Sequence, residues 1–254
     1  MSKIDSNGLE HGRRGYKIYV VLNGQQIKKE LYRPTNPRTP AQQKHRAKLA
    51  FANRLSAQLA EAVNIGFARL AEEAMNQTPR NAFVKANWDN GALCWDEETN
   101  AWTLCPERLL VAQGPRHIPE GITAVLDCNR LHLSCPDAGL NDRYAVPDDQ
   151  LLVAVYLPDI PAMALYRGPM RADCARCTFE LPGELHSTHA AMHVYAWFQA
   201  TCFHRASSPH AQVRPDQASP SRYLGTFRIP TNALTHSHIN AIPHYRNLDT
   251  LISL

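Results

Sequence analysis

The sequence predicts an α+β protein in which an N-terminal β-hairpin and a long amphipathic helix precede an antiparallel β-sandwich of the immunoglobulin-like kind. Three observations lead to this fold class. Two β-prone runs flank Asn23-Gly24, a capped helical pattern begins near Asn36, and short β-prone runs follow one another at near-regular spacing after residue 91. We therefore divide the chain into a flexible basic arm (1–15), a hairpin and helical region (16–90), a β-sandwich domain (91–229) and a C-terminal tail (230–254).

The predicted hairpin pairs residues 16–22 with residues 25–32 through a two-residue turn. Asn-Gly suits this turn because both of its central residues need a positive φ. Alternation gives the hairpin an apolar face, with Tyr16, Ile18, Val20 and Leu22 on one strand and Ile27 and Leu31 opposite them. An isolated hairpin is marginally stable in water, so we expect it to pack on the helix or on a neighbouring subunit. Residues 1–15 have too little apolar content to fold alone, which predicts the flexible arm.

The longest helical pattern runs from about residue 40 to residue 76. Thr39 can cap this helix, Pro40 suits its first position, and Gln42 completes a capping box. Residues 64–66 could bend or break it, so its continuity stays open. Apolar side chains recur at steps of three and four residues along one face: Phe51, Leu55, Leu59, Val63, Phe67, Leu70 and Ala74.

A continuous helix of this length would extend roughly 50 Å and would need a partner along its apolar face. We therefore expect contacts with another subunit or another domain from Leu55, Leu59, Val63 and Phe67. A second capped start at Thr78-Pro79 predicts a short helix over residues 81–88.

The rear of the chain predicts a succession of short strands. Their expected ranges are 101–105, 109–112, 122–127, 130–134, 151–157, 162–166, 177–181, 191–202 and 222–229. Strands of this number and spacing favour an antiparallel sandwich or barrel. Residues 206–220 are rich in Ser, Pro, His and Gln, which predicts an exposed loop between the last two strands.

Composition limits the classes of protein to which the chain can belong. With 44% hydrophobic and 20% charged residues, its 254 residues have an ordinary globular composition. No apolar run is long enough for a membrane-spanning helix, and the N-terminus lacks the apolar segment of a secretory signal. We expect a cytoplasmic location or a virion-like particle assembled there. The seven cysteines then predict reduced thiols that are mostly buried.

The net charge of +4 hides an asymmetry along the chain. Residues 1–54 contain twelve Lys or Arg and three Asp or Glu, whereas the other 200 residues contain fifteen and twenty. A basic front and an acidic rear predict an anionic partner or a front-to-back contact between subunits. The candidate contact residues are Arg13, Arg14, Lys17, Lys28, Lys29, Arg33, Arg38 and Arg46. Tyr16, Tyr19 and Tyr32 lie among these cations, so nucleic-acid contact through base stacking is the alternative.

Several of these segments together resemble an uncharacterised bacterial family, a domain of unknown function. Its members combine a Gly-rich N-terminal hairpin, an Asn-Pro-Arg-Thr-x-x-Gln helix start and a C-terminal immunoglobulin-like β-domain, and similar N-terminal segments occur in phage-like proteins. The matching positions are Gly12, Gly15, Gly24, 36–42, Arg46, 81–84, His193, Val194, Tyr195, Ser221, Tyr223 and Gly225. The resemblance implies the fold and no chemistry. The many Cys and His residues and the segment 206–220 depart from the family pattern.

Cys174 and Cys177 form the one Cys-x-x-Cys of the sequence, and His186 and His189 follow it. Four ligands of this kind at this spacing are compatible with tetrahedral zinc. A second Cys-x-x-Cys is missing, and Pro182-Gly183 leaves the ligand geometry unset. We therefore favour reduced thiols near a loop over a zinc site.

The sequence contains no arrangement of residues that identifies a reaction. It has no Gly-x-Ser-x-Gly and no Gly-rich phosphate loop before a helix, and we interpret the acidic pairs 97–98 and 148–149 as solvated turns. We expect a non-enzymatic structural or assembly protein without a cofactor, which forms a homo-oligomer and, in one form of the hypothesis, belongs to a phage-like particle or filament. The alternatives are a nucleic-acid-binding protein that uses the arm, hairpin and helix start, and a metal-stabilised or enzymatic β-domain.

Overall fold

The computed structural model describes residues 2–6, 8–22, 25–31, 38–74, 77–137, 144–159, 162–181, 191–201, 204–205, 212–213 and 217–228. The predicted tail (230–254), most of the predicted loop 206–220 and the turn residues Asn23 and Gly24 lie outside this part of the chain. Within it, the predicted α+β class with antiparallel sheets is confirmed. None of the helices that the described residues form is long and apolar enough to span a membrane.

The N-terminal residues form a four-stranded antiparallel sheet. Its strands are β1 (Ser2–Ile4), β2 (Glu10–Arg14), β3 (Lys17–Leu22) and β4 (Gln25–Glu30), in that order. The predicted hairpin is confirmed as β3 and β4: Val20 lies opposite Ile27, and the Leu31 backbone N–H donates to the Tyr16 carbonyl oxygen at 2.6 Å.

Residues 1–15 differ from the flexible arm that the sequence predicted, because they supply two of the four strands. Glycines lie in the turns that join these strands: Gly8 and Gly15 have φ of +77° and +61°, which favours glycine. Asp5 supports the first turn, because its carboxylate accepts a hydrogen bond from the Leu9 N–H at 2.9 Å.

The long helical pattern becomes three consecutive helices: α1 (Pro40–Gln58), α2 (Ala60–Gly66) and α3 (Ala68–Glu73). The predicted cap is present, since the Thr39 hydroxyl accepts from the Gln42 N–H at 3.4 Å. Helical hydrogen bonds continue through both junctions, Leu59 N–H to Leu55 O at 3.0 Å and Phe67 N–H to Val63 O at 3.0 Å. The helix is thus bent rather than ended at these residues. The second bend adjoins the predicted segment 64–66.

A fourth helix, α4 (Pro79–Trp88), confirms the second capped start, because the Thr78 hydroxyl accepts from the Asn81 N–H at 3.2 Å. The chain then forms a small hairpin of β5 (Leu93–Asp96) and β6 (Ala101–Leu104). The strand predicted at 101–105 is confirmed as β6, whereas β5 was not predicted.

The strand predicted at 109–112 is wrong. These residues belong to no strand, and two of their backbone N–H groups donate to side chains instead. The Asn87 side chain accepts from the Leu110 N–H at 2.8 Å, and the Ser221 hydroxyl accepts from the Val111 N–H at 2.9 Å. The segment also packs directly on α2. A Cβ atom added to Gly66 would lie 2.6 Å from the Ala112 Cβ, so glycine permits the close approach.

The remaining strands form a four-stranded sheet, a three-stranded sheet and a two-stranded ribbon. The central sheet has the order β10 (Ala162–Met170), β9 (Gln150–Leu157), β12 (Ala191–Gln199) and β15 (Arg222–Arg228). The three-stranded sheet has the order β11 (Arg176–Glu180), β8 (Arg130–Ser134) and β7 (Thr123–Asp127). The ribbon pairs β13 (His204–Arg205) with β14 (Gln212–Val213).

The central sheet is covered on both faces. Alternate residues of β9 and β12, such as Leu152 and Trp197, join the helices in one hydrophobic cluster. The residues between them, such as Val153 and Phe198, join the three-stranded sheet in a second cluster. The architecture therefore has three layers: helices, central sheet and three-stranded sheet. The immunoglobulin-like assignment of the two sheets stays a prediction.

Candidate partner-binding surface

The N-terminal sheet is exposed on both faces. None of its described side chains between residues 3 and 31 is buried. Tyr16 is 83% exposed, Ile4 69% and Val20 39%. A sheet normally buries one apolar face against another layer, so this sheet is left with apolar surface that nothing in the described chain covers.

The strand register shows how apolar and basic side chains are arranged on this sheet. On one face Arg13, Ile18 and Lys29 lie side by side on three strands, and Val20 lies beside Ile27 in the middle of the same face. Apolar residues thus form the centre of this face and cations lie next to them.

The opposite face is more polar. Tyr19 lies between Gly12 and Lys28, and Lys17 lies between Arg14 and Glu30. The direct neighbour of Tyr19 on β2 is Gly12, which has no side chain. This face therefore combines an aromatic ring with three cations.

Some of the basic groups on the sheet are partly neutralised, whereas others are not. Arg14 lies 3.3 Å from the Glu10 carboxylate, and the Arg13 Nε donates to the Gly15 carbonyl oxygen at 3.0 Å. Across the described residues, Lys17, Lys28 and Lys29 have no carboxylate within 4.0 Å of their ammonium groups. Their charges are therefore available to an anionic partner.

The structure places five of the eight predicted contact residues on the N-terminal sheet. The five on the sheet are Arg13, Arg14, Lys17, Lys28 and Lys29. Arg38 precedes α1 and Arg46 lies on its second turn, and both side chains are exposed. Arg33 lies outside the described residues. The predicted basic surface is thus centred on the sheet.

The predicted oligomer or interdomain contacts on the helix lie inside the chain. Leu55, Leu59, Val63 and Phe67 are between 0% and 2% exposed. They share a cluster with Trp197 of the central sheet, and the Phe67 ring contacts the Phe83 ring edge-on at 5.8 Å. The prediction that these side chains contact a second subunit is therefore wrong. They contact the central sheet of the same chain instead.

The front half of α1 packs on the β5–β6 hairpin through cation–aromatic contacts. The Lys44 ammonium group lies 4.0 Å from the centre of the Trp95 ring, and the Lys48 ammonium group lies 5.1 Å from that of Trp102. Trp102 also donates from its indole N–H to the Lys44 carbonyl oxygen at 3.0 Å. These two basic residues are thus engaged within the chain.

An open groove with a volume of about 620 Å³ lies between α1 and α4. Its lining residues recur at helical steps: His45, Leu49 and Asn53 on α1, and Asn81, Val84, Lys85, Trp88 and the adjacent Asp89 along α4. Leu49 is 43% exposed there. None of the predicted contact residues lines this groove.

The structure describes two of the four candidate zinc ligands, Cys174 and Cys177. Cys174 is buried, while Cys177 is half-buried on β11. Burial raises the pKa of Cys177 to about 11, which favours its thiol form. His186 and His189 lie outside the described residues. Elsewhere in the chain that the structure describes, no group of three His, Cys, Asp or Glu side chains is placed to hold a metal ion.

Asp149 forms a buried charge cluster that the sequence pattern did not predict. Asp149 is 1% exposed, accepts from Arg116 at 2.6 Å and 2.8 Å, and accepts from the Arg171 Nε at 3.1 Å. Burial lowers the pKa of Arg171, and Asp149 opposes this shift. The interpretation of residues 148–149 as a solvated turn is therefore wrong for Asp149. No local signal marks it, because its partners are distant in sequence.

Three residues of the family resemblance meet on the central sheet. The Tyr195 and Tyr223 rings lie 5.5 Å apart, and the His193 ring lies 6.2 Å from that of Tyr223. His193 Nδ1 and the Tyr223 hydroxyl both contact the Thr226 hydroxyl, at 3.0 Å and 2.5 Å. Burial lowers the pKa of His193, so its neutral form is favoured at neutral pH.

No family model matches the chain, and no curated protein or solved structure matches it. The resemblance to the bacterial family stays a prediction based on the motifs in this sequence.

Proposed function

We propose that this chain is a non-enzymatic assembly protein that self-associates through its N-terminal sheet, β1 to β4. The observation behind the proposal is that no described side chain of the sheet is buried, although Ile4, Tyr16 and Val20 present large apolar groups to solvent. Full burial of one such side chain contributes about 1.5–3 kcal/mol, so a partner that covers one face would stabilise the sheet substantially.

Charge supports another copy of the chain as the partner. The sheet region 2–31 contains six Lys or Arg and three Asp or Glu, whereas acidic residues outnumber basic residues beyond residue 54. Both faces of the sheet bear cations, which disfavours direct stacking of two identical sheets. A basic sheet on the acidic part of a second copy avoids this repulsion.

Such a front-to-back contact joins two different surfaces, so it repeats from one copy to the next. Repetition gives a closed ring or an open filament, depending on the rotation between neighbours. This is the sense in which we propose a component of a phage-like particle or filament. The apolar face of α1 to α3 does not contribute to this contact between copies, since its apolar residues are already covered within one chain.

The test is the solution mass of the full chain over a range of protein concentrations, at low salt and at about 1 M salt. We expect a multimer at low salt that dissociates at high salt. Val20→Asp places a charge in the centre of the apolar face and should give a monomer. The matched control is Val125→Asp. Val125 is 62% exposed on β7, a strand of the three-stranded sheet and not of the N-terminal sheet. A monomeric wild-type chain, or an unchanged mass for Val20→Asp, would refute the proposal.

The second candidate function is nucleic-acid binding through the same sheet. The observation that favours it is that Lys17 and Lys28 neighbour Tyr19 in the register and have no ion-pair partner among the described residues, because bases stack on aromatic rings between phosphate-binding cations. We would expect single-stranded DNA or RNA to bind with an affinity that falls steeply with salt and is lost in Lys28→Glu/Lys29→Glu. Unchanged mobility of both nucleic acids at low salt would exclude this function.

We also propose assignments for the fold, the family and the location of the chain. The pairing of four with three antiparallel strands supports an immunoglobulin-like sandwich, and an experimental structure compared strand by strand would test it. Membership of the bacterial family is supported by its motif residues in this sequence. A cytoplasmic or virion-like location is supported by the composition, and cell fractionation would test it.

A further inference from the structure

Three polar side chains form a hydrogen-bonded chain at the edge of the central sheet. The Tyr223 hydroxyl lies 2.5 Å from the Thr226 hydroxyl, which lies 3.0 Å from the Nδ1 atom of His193. His193 is buried on β12, whereas Thr226 is exposed on β15, the last strand of the sheet. A reagent in solution therefore has access to the threonine, while the imidazole beside it is shielded from water.

A β-bulge in β15 brings these side chains to the same face of the sheet. His193 lies opposite Thr226, and Tyr195 lies opposite Tyr223. A step of two residues on β12 thus matches a step of three on β15, and Leu224 has no partner in this register. Residues three apart in a regular strand point to opposite faces. The bulge removes this difference, and bulges that re-aim a side chain are frequent beside functional sites.

The chemistry of the three groups sets the direction of the hydrogen bonds. A phenol is a better donor than an aliphatic hydroxyl, and the bare nitrogen of a neutral imidazole is a better acceptor than either. The Tyr223 O–H therefore donates to Thr226, and the Thr226 O–H donates to His193. Burial lowers the pKa of His193, which favours the neutral ring that accepts this bond. A hydroxyl that donates to a base in this way is an activated nucleophile.

A carboxylate lies near the imidazole. Asp159 accepts from the backbone N–H of Ala191 at 3.4 Å, and Ala191 lies two residues before His193 on the same strand. The charge of Asp159 partly opposes the fall in the pKa of His193. A negative charge at this position stabilises the imidazolium that forms when His193 takes up a proton.

We propose that Thr226 is a nucleophilic site that takes an acyl group from an activated ester, with His193 as its base. The Thr226 oxygen attacks the carbonyl carbon of the ester, and the Nδ1 atom of His193 takes the hydroxyl proton. The bond from that carbon to the leaving oxygen then breaks, and the leaving oxygen takes the proton from His193. The sum is one threonine hydroxyl and one ester giving one O-acyl-threonine and one alcohol.

The surroundings of the hydroxyl favour an ester of an aromatic alcohol. The half-buried Tyr223 ring lies 5.5 Å from the Tyr195 ring and 6.2 Å from the His193 ring, so aromatic surface adjoins the nucleophile. An aromatic leaving group stacks favourably on such a surface. The modification ends at the acyl-threonine and lies on the central sheet, so it is independent of the self-association proposed for the N-terminal sheet.

The chain offers its own comparator on the three-stranded sheet. His132 and Thr178 lie opposite each other on β8 and β11, and the His132 Nδ1 atom lies 2.8 Å from the Thr178 hydroxyl. Among the described residues, no tyrosine hydroxyl contacts Thr178, so nothing directs its proton to the imidazole. Thr178 is also exposed, and we expect it to react more slowly than Thr226.

The experiment incubates the full chain with p-nitrophenyl acetate, follows the release of p-nitrophenol, and locates acetyl groups by mass spectrometry. We expect acetylation of Thr226 that is about 100-fold faster than that of Thr178, since a positioned base contributes a factor of this size. Fragmentation of the peptide 223–228 distinguishes Thr226 from Tyr223. Thr226→Ser should keep the reaction, and Thr226→Ala should leave only the slow background at lysine side chains.

His193→Asn separates the base from a structural role. The asparagine oxygen can still accept from the Thr226 hydroxyl but is too weak a base to take its proton, so acetylation should slow about 100-fold while the circular dichroism stays native. Tyr223→Phe is the second variant if His193→Asn folds poorly, and it should slow the reaction because the proton of Thr226 is no longer directed to His193. Equal acetylation of Thr226 and Thr178, or an unchanged rate at Thr226 in either folded variant, would overturn the proposal.

Discussion

Lys48 on α1 donates from its ammonium group to the Trp88 carbonyl oxygen at 2.5 Å, and the same group lies 4.5 Å from the centre of the Trp88 ring. Trp88 is the last residue of α4, so this cation lies at the end of that helix where the carbonyl oxygens are unsatisfied. One side chain thus joins the two helices that border the open groove.

We expect Lys48→Met to destabilise the protein by about 1–2 kcal/mol, because methionine keeps the apolar stem and loses both the hydrogen bond and the cation–aromatic contact. Denaturant unfolding measures the change. Lys85→Met is the matched control, since Lys85 is exposed on α4 and forms no ion pair with any described residue. Equal stabilities of the two variants would contradict the role of Lys48.

Asp149 is expected to be the most sensitive charged residue in the chain. Asp149→Asn leaves two buried guanidinium groups without a carboxylate, and loss of one partner of a buried ion pair costs about 3–5 kcal/mol. Urea unfolding measures the loss. The neighbouring Asp148 is exposed, so Asp148→Asn is the control and should change the unfolding free energy by less than about 0.5 kcal/mol. A mild effect of Asp149→Asn would show that water reaches the cluster.

Local chemistry explains why parts of this fold could be predicted from sequence. The turn at Asn23-Gly24 and the caps at Thr39 and Thr78 depend on residues within three positions of one another, and the structure has the hairpin and both capped helices. The five clustered cations could be predicted for the same reason, since they lie on neighbouring strands of one meander.

The remaining features depend on contacts between distant residues. Asp149 looks like a turn residue until Arg116 and Arg171 are placed around it. The segment 109–112 looks like a strand, but its Leu110 and Val111 N–H groups donate to side chains instead of to a neighbouring strand. One signal was available: the unbroken apolar run Leu151 to Leu157 is typical of a strand covered on both faces, which predicts a cover for the central sheet and hence a partner for the helix.

Gly66 permits the contact between α2 and the segment 109–112, which follows β6. Gly66→Ala would place a methyl group 2.6 Å from both the Ala112 Cβ and the Val111 carbonyl oxygen, and neither group can move without shifting backbone. We expect a loss of about 1–3 kcal/mol from this overpacking. Gly121→Ala is the control, because its added Cβ would lie 3.5 Å from Pro136, an ordinary contact. Equal unfolding midpoints for the two variants would argue against the close approach.

His193 should make stability depend on pH. Burial lowers its pKa in the folded chain, and Asp159 only partly opposes this shift, so the unfolded chain binds a proton more readily than the folded chain. The contribution of neutral His193 is therefore fully present above the unfolded pKa of about 6.5 and is lost as pH falls toward the lower folded pKa. Unfolding free energies measured on both sides of this value should show that stability falls at low pH, and His193→Asn, which can keep the Thr226 contact, should reduce this fall.

His132→Asn is the control. His132 forms a similar pair with Thr178, at 2.8 Å on a more exposed sheet. This variant should retain the fall in unfolding free energy because His193 remains. The same fall in His193→Asn as in the wild-type chain would assign it to another group.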